Sequence, residues 1–421
     1  LNERLSVFVF FFPPLFRYSL IVLSYQLARD LVISRVVALP REPHTETLPL
    51  PNALNAVLAQ DILSDRDYPP FHRSIRDGYA LRSTDSGPGA TLRCIGELKA
   101  GDTPTIRVVP GTCIQIMTGA ALPEGADAVI MIEHTQRNAD TVTLDRALKP
   151  GQHVVLRGSE QTTRETVLTK ASRLGFAQLA AAAQVGAAKV TVYRQPRVAI
   201  LSTGDEVVDF TATPGPFQIR NSNSVSLAAQ VATLHAEPIT LGNAKDTHED
   251  LRAKISEGLA ADALILSGGV SAGKYDFVEP VLREFGAETV FDAVAIRPGK
   301  PAVFAICQDK PVFGLPGNPV STMVTFDLFV GPALDILAGI EPRPLPFIEA
   351  VLTHRLQEKP GLTHFLPAVL EHGEHPCVSP LPWQGSGDII AMSRANCLLL
   401  IPPDRENIDS GERVQVLPRG W

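Results

Sequence analysis

Cysteine is sparse and unpatterned in this chain: five residues, at 94, 113, 307, 377 and 397, an odd number with no C-x-x-C spacing. That argues against a disulfide framework or a cysteine-rich zinc site, fits a reducing, cytoplasmic setting, and leaves packing as the expected role of each thiol. The full G-x-G-x-x-G fingerprint is missing too, which argues against a nicotinamide dehydrogenase. No Ser/His/Asp order is present, so a hydrolase triad has no support. Basic residues are not in excess. The 38 Lys and Arg against 45 Asp and Glu leave a net charge of -7, a balance that excludes non-specific nucleic-acid binding yet permits a local basic pocket around an anionic ligand. Repeats and low-complexity tracts are absent.

What the chain does have is length, 421 residues with 45% hydrophobic, enough for about three domains with buried cores. Leu5–Leu23 is nearly all apolar, but Pro13-Pro14 and Arg17 interrupt it, so it makes a poor membrane span. Residues 1–23 are expected to be an extension outside the functional fold. A short helix is expected over Ser24–Arg35, where Leu27, Ala28 and Leu31 share a face, and another over Leu54–Leu63. From about Phe71 to Pro150 short β segments alternate with Gly/Pro-rich loops. Helical spacing returns at Leu174–Val185. After Gln195-Pro196 the pattern becomes βαβ, with strands at Arg197–Leu201, Ala263–Leu266, Val294–Ile296, Ala302–Ile306 and Val312–Leu315, helices at Ser224–Leu234, His248–Ala260 and Phe277–Phe285, and a long helix at Val320–Leu337. Such alternation implies an α/β domain with a parallel sheet covered on both faces. Beyond Pro342 the chain reads as β to Trp421.

In an open parallel sheet ligands bind beyond the carboxyl ends of the strands. Three loops leave strands at such ends: Ser202–Glu206, Ser267–Gly273 and Pro316–Pro319. Glycines there let backbone N–H groups approach an anion, and a following helix start adds a favourable dipole. Asp205, Glu206, Asp246 and Asp276 lie among these loops and would repel an anion. A Mg²⁺ held by one or two carboxylates together with substrate oxygens resolves the conflict. Lys274, Arg297, Lys300 and Arg220 are the neighbouring cations. His372 and His375 lack a third ligand and read as an exposed turn. Arg76-Asp77-Gly78-Tyr79 and Met117-Thr118-Gly119 read, by composition, as turns followed by strands.

The segments RDGYALR, IMTGAALPEGADAVIMIE, LRGSE, LSTGDEVV, IRNSNS, LSGGVSAGKYDF, IRPGKPAVF and FGLPGNPVSTMVTFDLFVGPAL, in this order, resemble the MoeA family, which includes the enzyme part of gephyrin. The resemblance runs from about Ser24 to the C-terminus. It implies a multidomain α/β protein: residues 24–70 and 150–194 form a linker domain, 71–149 an inserted β domain, 195–340 the α/β molybdopterin-binding domain and 341–421 a C-terminal β domain. It further implies a homodimer with a site shared between the α/β domain of one subunit and the inserted domain of the other. The implied reaction inserts molybdate into adenylylated molybdopterin with release of AMP and uses Mg²⁺. Carried over by position, Asp77, Thr118 and Glu206 would be catalytic, and Asp246 and Asp276 would hold the metal. Glu160, Ser267, Gly268, Gly269, Ser271, Arg297, Lys300, Pro316, Pro319, Ser393 and Arg394 would bind substrate, with Asn396 in the same C-terminal segment. Three positions depart from the family pattern: Ile75-Arg76 precede the Asp-Gly-Tyr, Ser159-Glu160 replaces an acidic pair, and Arg297 stands where Lys is common. The implied partners are the adenylyltransferase and recipient molybdoenzymes, with no nucleic acid. The rival readings are an ATP-dependent molybdopterin adenylyltransferase, which shares the α/β domain but lacks the other three, and a scaffold, for which no long disordered linker is present.

Overall fold

The computed structural model describes residues 22–40, 44–269 and 278–419. Ser271, Lys274 and Asp276, and the apolar stretch 1–21, lie outside these described residues. The chain divides into two compact units, one made of residues 1–46 with 193–421 and the other of Thr47–Val192.

The first described helix, α1 (Tyr25–Val37), starts at Ser24, whose hydroxyl accepts from the Leu27 N–H. Tyr25, Ala28, Val32 and Val36 fall on one helical stripe and are buried. They join the core of the α/β fold, and Leu23 goes with them: it is buried and bridges to Val294. The expected linker stretch 24–70 is therefore divided, with α1 on the α/β core and residues from Thr47 onward in the other unit.

Thr47–Val192 is built around a six-stranded sheet: β1 (Gly78–Leu81), β2 (Thr91–Leu98), β3 (Thr112–Ile116), β4 (Ala128–Met131), β5 (Thr135–Asn138) and β6 (Thr141–Leu144). The spatial order is β4-β1-β3-β2-β6-β5, antiparallel except for β2 beside β3. Alternate residues feed two cores, Tyr79, Leu81, Cys113 and Ile130 on one face and Ala80, Ile114, Ile116 and Val129 on the other. A third core, around Leu50, Leu58, Tyr68, Leu174 and Val192, carries α2 (Phe176–Gln184). The helix expected at Leu54–Leu63 does not form. Asn55 adopts φ 65°, which stops a helix, and the Leu58 and Ala59 N–H groups bond to Ser172 and Thr191 carbonyls. Helix-like spacing there comes from pairing with residues more than a hundred positions away, which local pattern does not carry.

The α/β sheet holds β7 (Arg197–Thr203), β8 (Glu237–Ala244), β9 (Ala263–Ser267), β10 (Glu288–Phe291), β11 (Val303–Cys307) and β12 (Lys310–Leu315), in the order β8-β7-β9-β12-β11-β10. The first four are parallel, β11 runs antiparallel to β12, and β10 pairs antiparallel with β11, so the sheet is mixed rather than wholly parallel. The cause is a tight turn at Gln308 and Asp309, φ 50° and 58°, which folds β12 back on β11 as a hairpin without the usual glycine. Val198 and Ile200 face one core with α1, α3 (Ser222–Thr233) and the long helix, whereas Ala199 and Leu201 face α4 (His248–Gly258) and α5 (Val278–Glu284). Burial on both faces is why these strands are almost continuously apolar.

The long helix runs as α6 (Pro319–Thr325), a π-turn (Phe326–Val330) and α7 (Gly331–Leu337). Among the described residues Pro319–Leu337 alone is long and apolar enough to cross a membrane, and it is 78% buried as the core helix of the α/β fold.

Strands β13 (Ile348–Leu352), β14 (Thr363–Glu371), β15 (Cys377–Pro380), β16 (Cys397–Ile401) and β17 (Arg413–Pro418) close on themselves, because β14 pairs with both β15 and β16. The barrel interior takes Leu366, Ala368, Leu399 and Val416, while Phe365, Leu398 and Leu400 pack outward on the α/β core. The strand expected at Val294–Ile296 forms at Ile296–Arg297 instead and pairs with the start of β14. A short helix, α8 (Ile389–Arg394), precedes β16.

Candidate active site

Strand order β8-β7-β9 reverses the direction of winding at β7, which is where doubly wound sheets open a crevice at their carboxyl ends. A pocket of about 440 Å³ lies there. It is lined by the ends of β7 and β9, the start of α3, Asp246 after β8, Pro301, and the turn Pro316–Pro319 before α6. All three strand-end loops expected from the sequence contribute residues to it.

Gly268 and Gly269 have φ 91° and 64°. A Cβ on Gly269 would stand 2.7 Å from Thr203 Oγ1 and 2.9 Å from Val278 Cγ2, so only glycine fits this approach of β9's end to β7's. Asn223 ties two loops together: its Nδ2 donates to Ser267 Oγ at 2.9 Å and to the Gly317 carbonyl at 2.7 Å. Asn221 caps α3 by accepting from the Ser224 N–H at 3.0 Å, and it also accepts from Ser202 Oγ at 3.2 Å. Asn243 Nδ2 holds the β7 loop through the Gly204 and Val207 carbonyls. Three oxygens around this framework, Thr203 Oγ1, Asn223 Oδ1 and Asn243 Oδ1, are buried and have no hydrogen-bond partner among the described residues. Thr203 and Asn223 line the pocket itself. Such acceptors are costly to leave unpaired and suit a ligand that donates.

Acidic residues rim one side. Glu206 and Asp246 line the pocket, and the Asp246 N–H donates to Asp205 Oδ1 at 3.2 Å. Burial first, then the Asp205 and Glu206 charges, push the Asp246 carboxyl above its ordinary value. Arg220 is the cation that lines the pocket; its Nε donates to the Ala212 carbonyl. Arg297 and Lys300 do not line it. Arg297 pairs with Glu358 at 3.5 Å, while Lys300 is exposed and makes no ion pair among the described residues. Asn318 Nδ2 bonds Ser386 Oγ at 2.9 Å, which brings the segment before α8 to the rim, but Ser393 and Arg394 themselves do not line the pocket. Ser393 Oγ bonds the Ile390 carbonyl within α8.

Asp77, Thr118 and Glu160 fall in the other unit. Gly78 sits where a Cβ would overlap the Ile130 carbonyl oxygen at 1.8 Å, so the Asp-Gly pair is imposed by β1 lying flat on β4. Asp77 Oδ1 accepts from the Thr118 N–H at 2.6 Å and from its hydroxyl at 2.9 Å, and those two bonds hold the carboxyl below its usual range. Glu160 pairs with Arg73 at 3.1 Å. Thr203 lies in one of the expected strand-end loops, but nothing in the sequence pattern marks the side chains of Thr203, Asn223 or Asn243 as functional. Asn221 and Asn223 belong to the IRNSNS segment, but asparagine carries no charge pattern to mark it. A cavity of about 460 Å³ beside α7 is marginally larger, yet the carboxylates lining it are paired, Asp327 with Arg419 and Asp335 with Arg343, and none of the carboxyl-end loops of the α/β sheet reaches it.

Fold and pocket define an α/β protein with a switch-point site that offers unpaired acceptors, two carboxylates and an arginine to a polar ligand. Three family profiles match in sequence order: the MoeA N-terminal region (domain I and II) over residues 23–186, a probable molybdopterin binding domain over 199–336, and the MoeA C-terminal region (domain IV) over 349–418. The molybdopterin molybdenumtransferase of Bacillus subtilis is 33% identical over 92% of this chain and 93% of its own length, and that of Haemophilus influenzae 36% identical over 90% and 95%. The crystal structure of a molybdopterin biosynthesis MoeA protein from Pyrococcus horikoshii covers 95% of this chain and all of its own, at 34% identity and a TM-score of 0.79. The chain belongs to the MoeA family, the transferases of molybdenum cofactor biosynthesis.

Proposed function

We propose that this chain takes adenylylated molybdopterin, inserts molybdate at the dithiolene and releases AMP, working in the cytoplasm as a homodimer of four-domain subunits. The observation that carries this reading is the switch-point pocket with its unpartnered Thr203 and Asn223 oxygens, which suit a ligand rich in N–H and O–H donors. Thr203 and Asn223 would accept from the substrate, Ser267, Gly268 and Gly269 would let its backbone approach, and Pro316 and Pro319 would shape the wall. Arg220 faces the anion within the pocket, while Arg297 and Lys300 would draw molybdate from outside it. Glu160, Ser393 and Arg394 remain binding candidates carried by the family pattern.

The donor set fits Mg²⁺. It is all oxygen, and the burial and neighbouring Asp205 and Glu206 charges that raise Asp246 are what a divalent cation offsets. Among the described residues no group of three or more His, Cys, Asp or Glu stands ready around a metal. Asp246, with Asp276 from outside the described residues, would therefore hold it together with substrate oxygens. When bound, the ion supplies positive charge to the phosphate bridge. Glu206 would handle protons at the pocket, and Asp77, kept ionised by Thr118, would supply a fixed negative charge or orient water. Holding two anions together in a charge-matched site is work that positioning and electrostatics supply.

The test is AMP release from adenylylated molybdopterin with molybdate and Mg²⁺. The wild-type chain should release AMP only when molybdate is present, and Asp246→Asn should fold but lose at least ten-fold in rate and most of its Mg²⁺ dependence. Release without molybdate, or ATP consumption in its place, would overturn the assignment.

A further inference from the structure

The two cysteines of the inserted sheet are neighbours in space although 94 and 113 are far apart in sequence. Strands β2 and β3 run parallel, and Cys94 stands directly opposite Cys113 in their register. Both side chains belong to the same core face, with Tyr79, Leu92 and Val142. Neighbouring strands lie about 4.8 Å apart, and a disulfide needs its Cβ atoms at roughly 3.5–4.5 Å. The register slips just beyond Cys94, between Cys94 and Glu97, so the strand is irregular where it must move. Cys113 is fully buried, whereas Cys94 is partly open to solvent. Arg137 lies on strand β5 of the same sheet, with its charge felt at both sulfurs.

We propose that Cys94 and Cys113 form a reversible dithiol–disulfide site, oxidised by peroxide, that bridges β2 to β3, the strand that leads to Thr118. Cys94 is the attacking thiol: its sulfur takes one peroxide oxygen, the O–O bond breaks, and a sulfenic acid and one water result. The Cys113 sulfur then attacks the Cys94 sulfur. The S–S bond forms, the S–O bond breaks, and hydroxide leaves as a second water with the Cys113 proton. Two thiols lose two electrons and two protons, and one hydrogen peroxide is reduced to two waters. Burial and the neighbouring Cys94 push the Cys113 thiol up to about 12, which keeps it protonated and leaves the more open Cys94 as the first sulfur to meet peroxide. A cytosolic chain rarely keeps a structural disulfide, and a pair of this kind responds to oxidant instead.

The experiment treats the folded full-length chain with stoichiometric hydrogen peroxide, blocks remaining thiols under denaturing conditions, and maps non-reduced peptides by mass. A Cys94–Cys113 linked peptide, lighter by two hydrogens than the sum of its parts and released by dithiothreitol, is the expected result. Cys113→Ala, which removes the resolving thiol without burying a hydroxyl, should leave Cys94 trapped as a dimedone-reactive sulfenic acid. Should that variant not fold, Cys94→Ser answers the same question, since Cys113 should then stay fully alkylatable after peroxide. Absence of the linked peptide in the wild-type chain, or Cys94 advancing to sulfinic acid while Cys113 remains alkylatable, overturns the proposal.

Discussion

Asp77 and Asp246 are both carboxylates of the proposed chemistry, and their surroundings push them in opposite directions. Two hydrogen bonds from Thr118 hold Asp77 low, while burial and the Asp205 and Glu206 charges hold Asp246 high. Linkage turns each shift into a pH dependence of stability. Asp77, depressed in the folded chain, stabilises it above the unfolded carboxyl value, and that stabilisation is lost as pH falls through the folded value. Thr118→Val should therefore be less stable than wild type at neutral pH, with the gap closing as the medium is acidified through the carboxylate range; urea melts followed by circular dichroism over a pH series check this. Asp246 has the reverse sign, with its contribution fullest at acid pH and lost as pH rises. At this scale much was legible in the sequence. Glu206, Ser267, Gly268, Gly269, Pro316, Pro319 and Asp246 meet in one pocket, because strand ends can be located from apolar runs. Arg297 and Lys300 do not line it; Arg297 ends a strand held by pairing with β14, a long-range pairing that its charge does not announce. The buried acceptors on Thr203 and Asn223 were invisible for a related reason: an unpaired oxygen is a property of its neighbours, not of its residue type.

Elements were readable where their pattern is local. Unbroken apolar runs mark β7, β9 and β12, and helical spacing marks α1, although the face expected from Leu27, Ala28 and Leu31 is not the buried one: Leu27 is exposed, and the buried stripe is Tyr25, Ala28, Val32 and Val36. The failures come from tertiary pairing and turn chemistry. Leu58 and Ala59 give their N–H groups to distant carbonyls, and Gln308-Asp309 makes a left-handed two-residue turn without Asn or Gly. Left-handed backbone costs an L-residue roughly 1–2 kcal/mol relative to glycine. Replacing Gln308 and Asp309 together by Asn-Gly should raise the stability of the α/β fold by about 1 kcal/mol in denaturant titration. Turnover should be unchanged, because the hairpin lies at the far end of its strands from the pocket. No gain would mean that the turn is held by contacts of its two side chains.

At the scale of the molecule, the segment Thr47–Val192 has three cores of its own and the remainder another three. Each can hold a cooperative transition. Calorimetry of the intact chain should resolve at least two, and Tyr79→Ala, which empties the core beneath β1, should lower one while leaving the other in place; a single transition moving as a whole would refute this. The chain passes into and out of this segment along two strands, Thr45–Pro49 and Lys189–Tyr193, that pair with each other. That pairing has a kinetic meaning. Joining the chain from Tyr193 onward to α1 requires closing a loop, and closure entropy grows with the length of flexible chain enclosed. Once Thr47–Val192 has folded, its two ends already lie side by side, and the remaining loop is only a few residues long. The paired ends of Thr47–Val192 should therefore shorten the search that brings α1 to its core. Circular permutants opened within Thr47–Val192 would lose that advantage and refold more slowly, though their native contacts stayed the same.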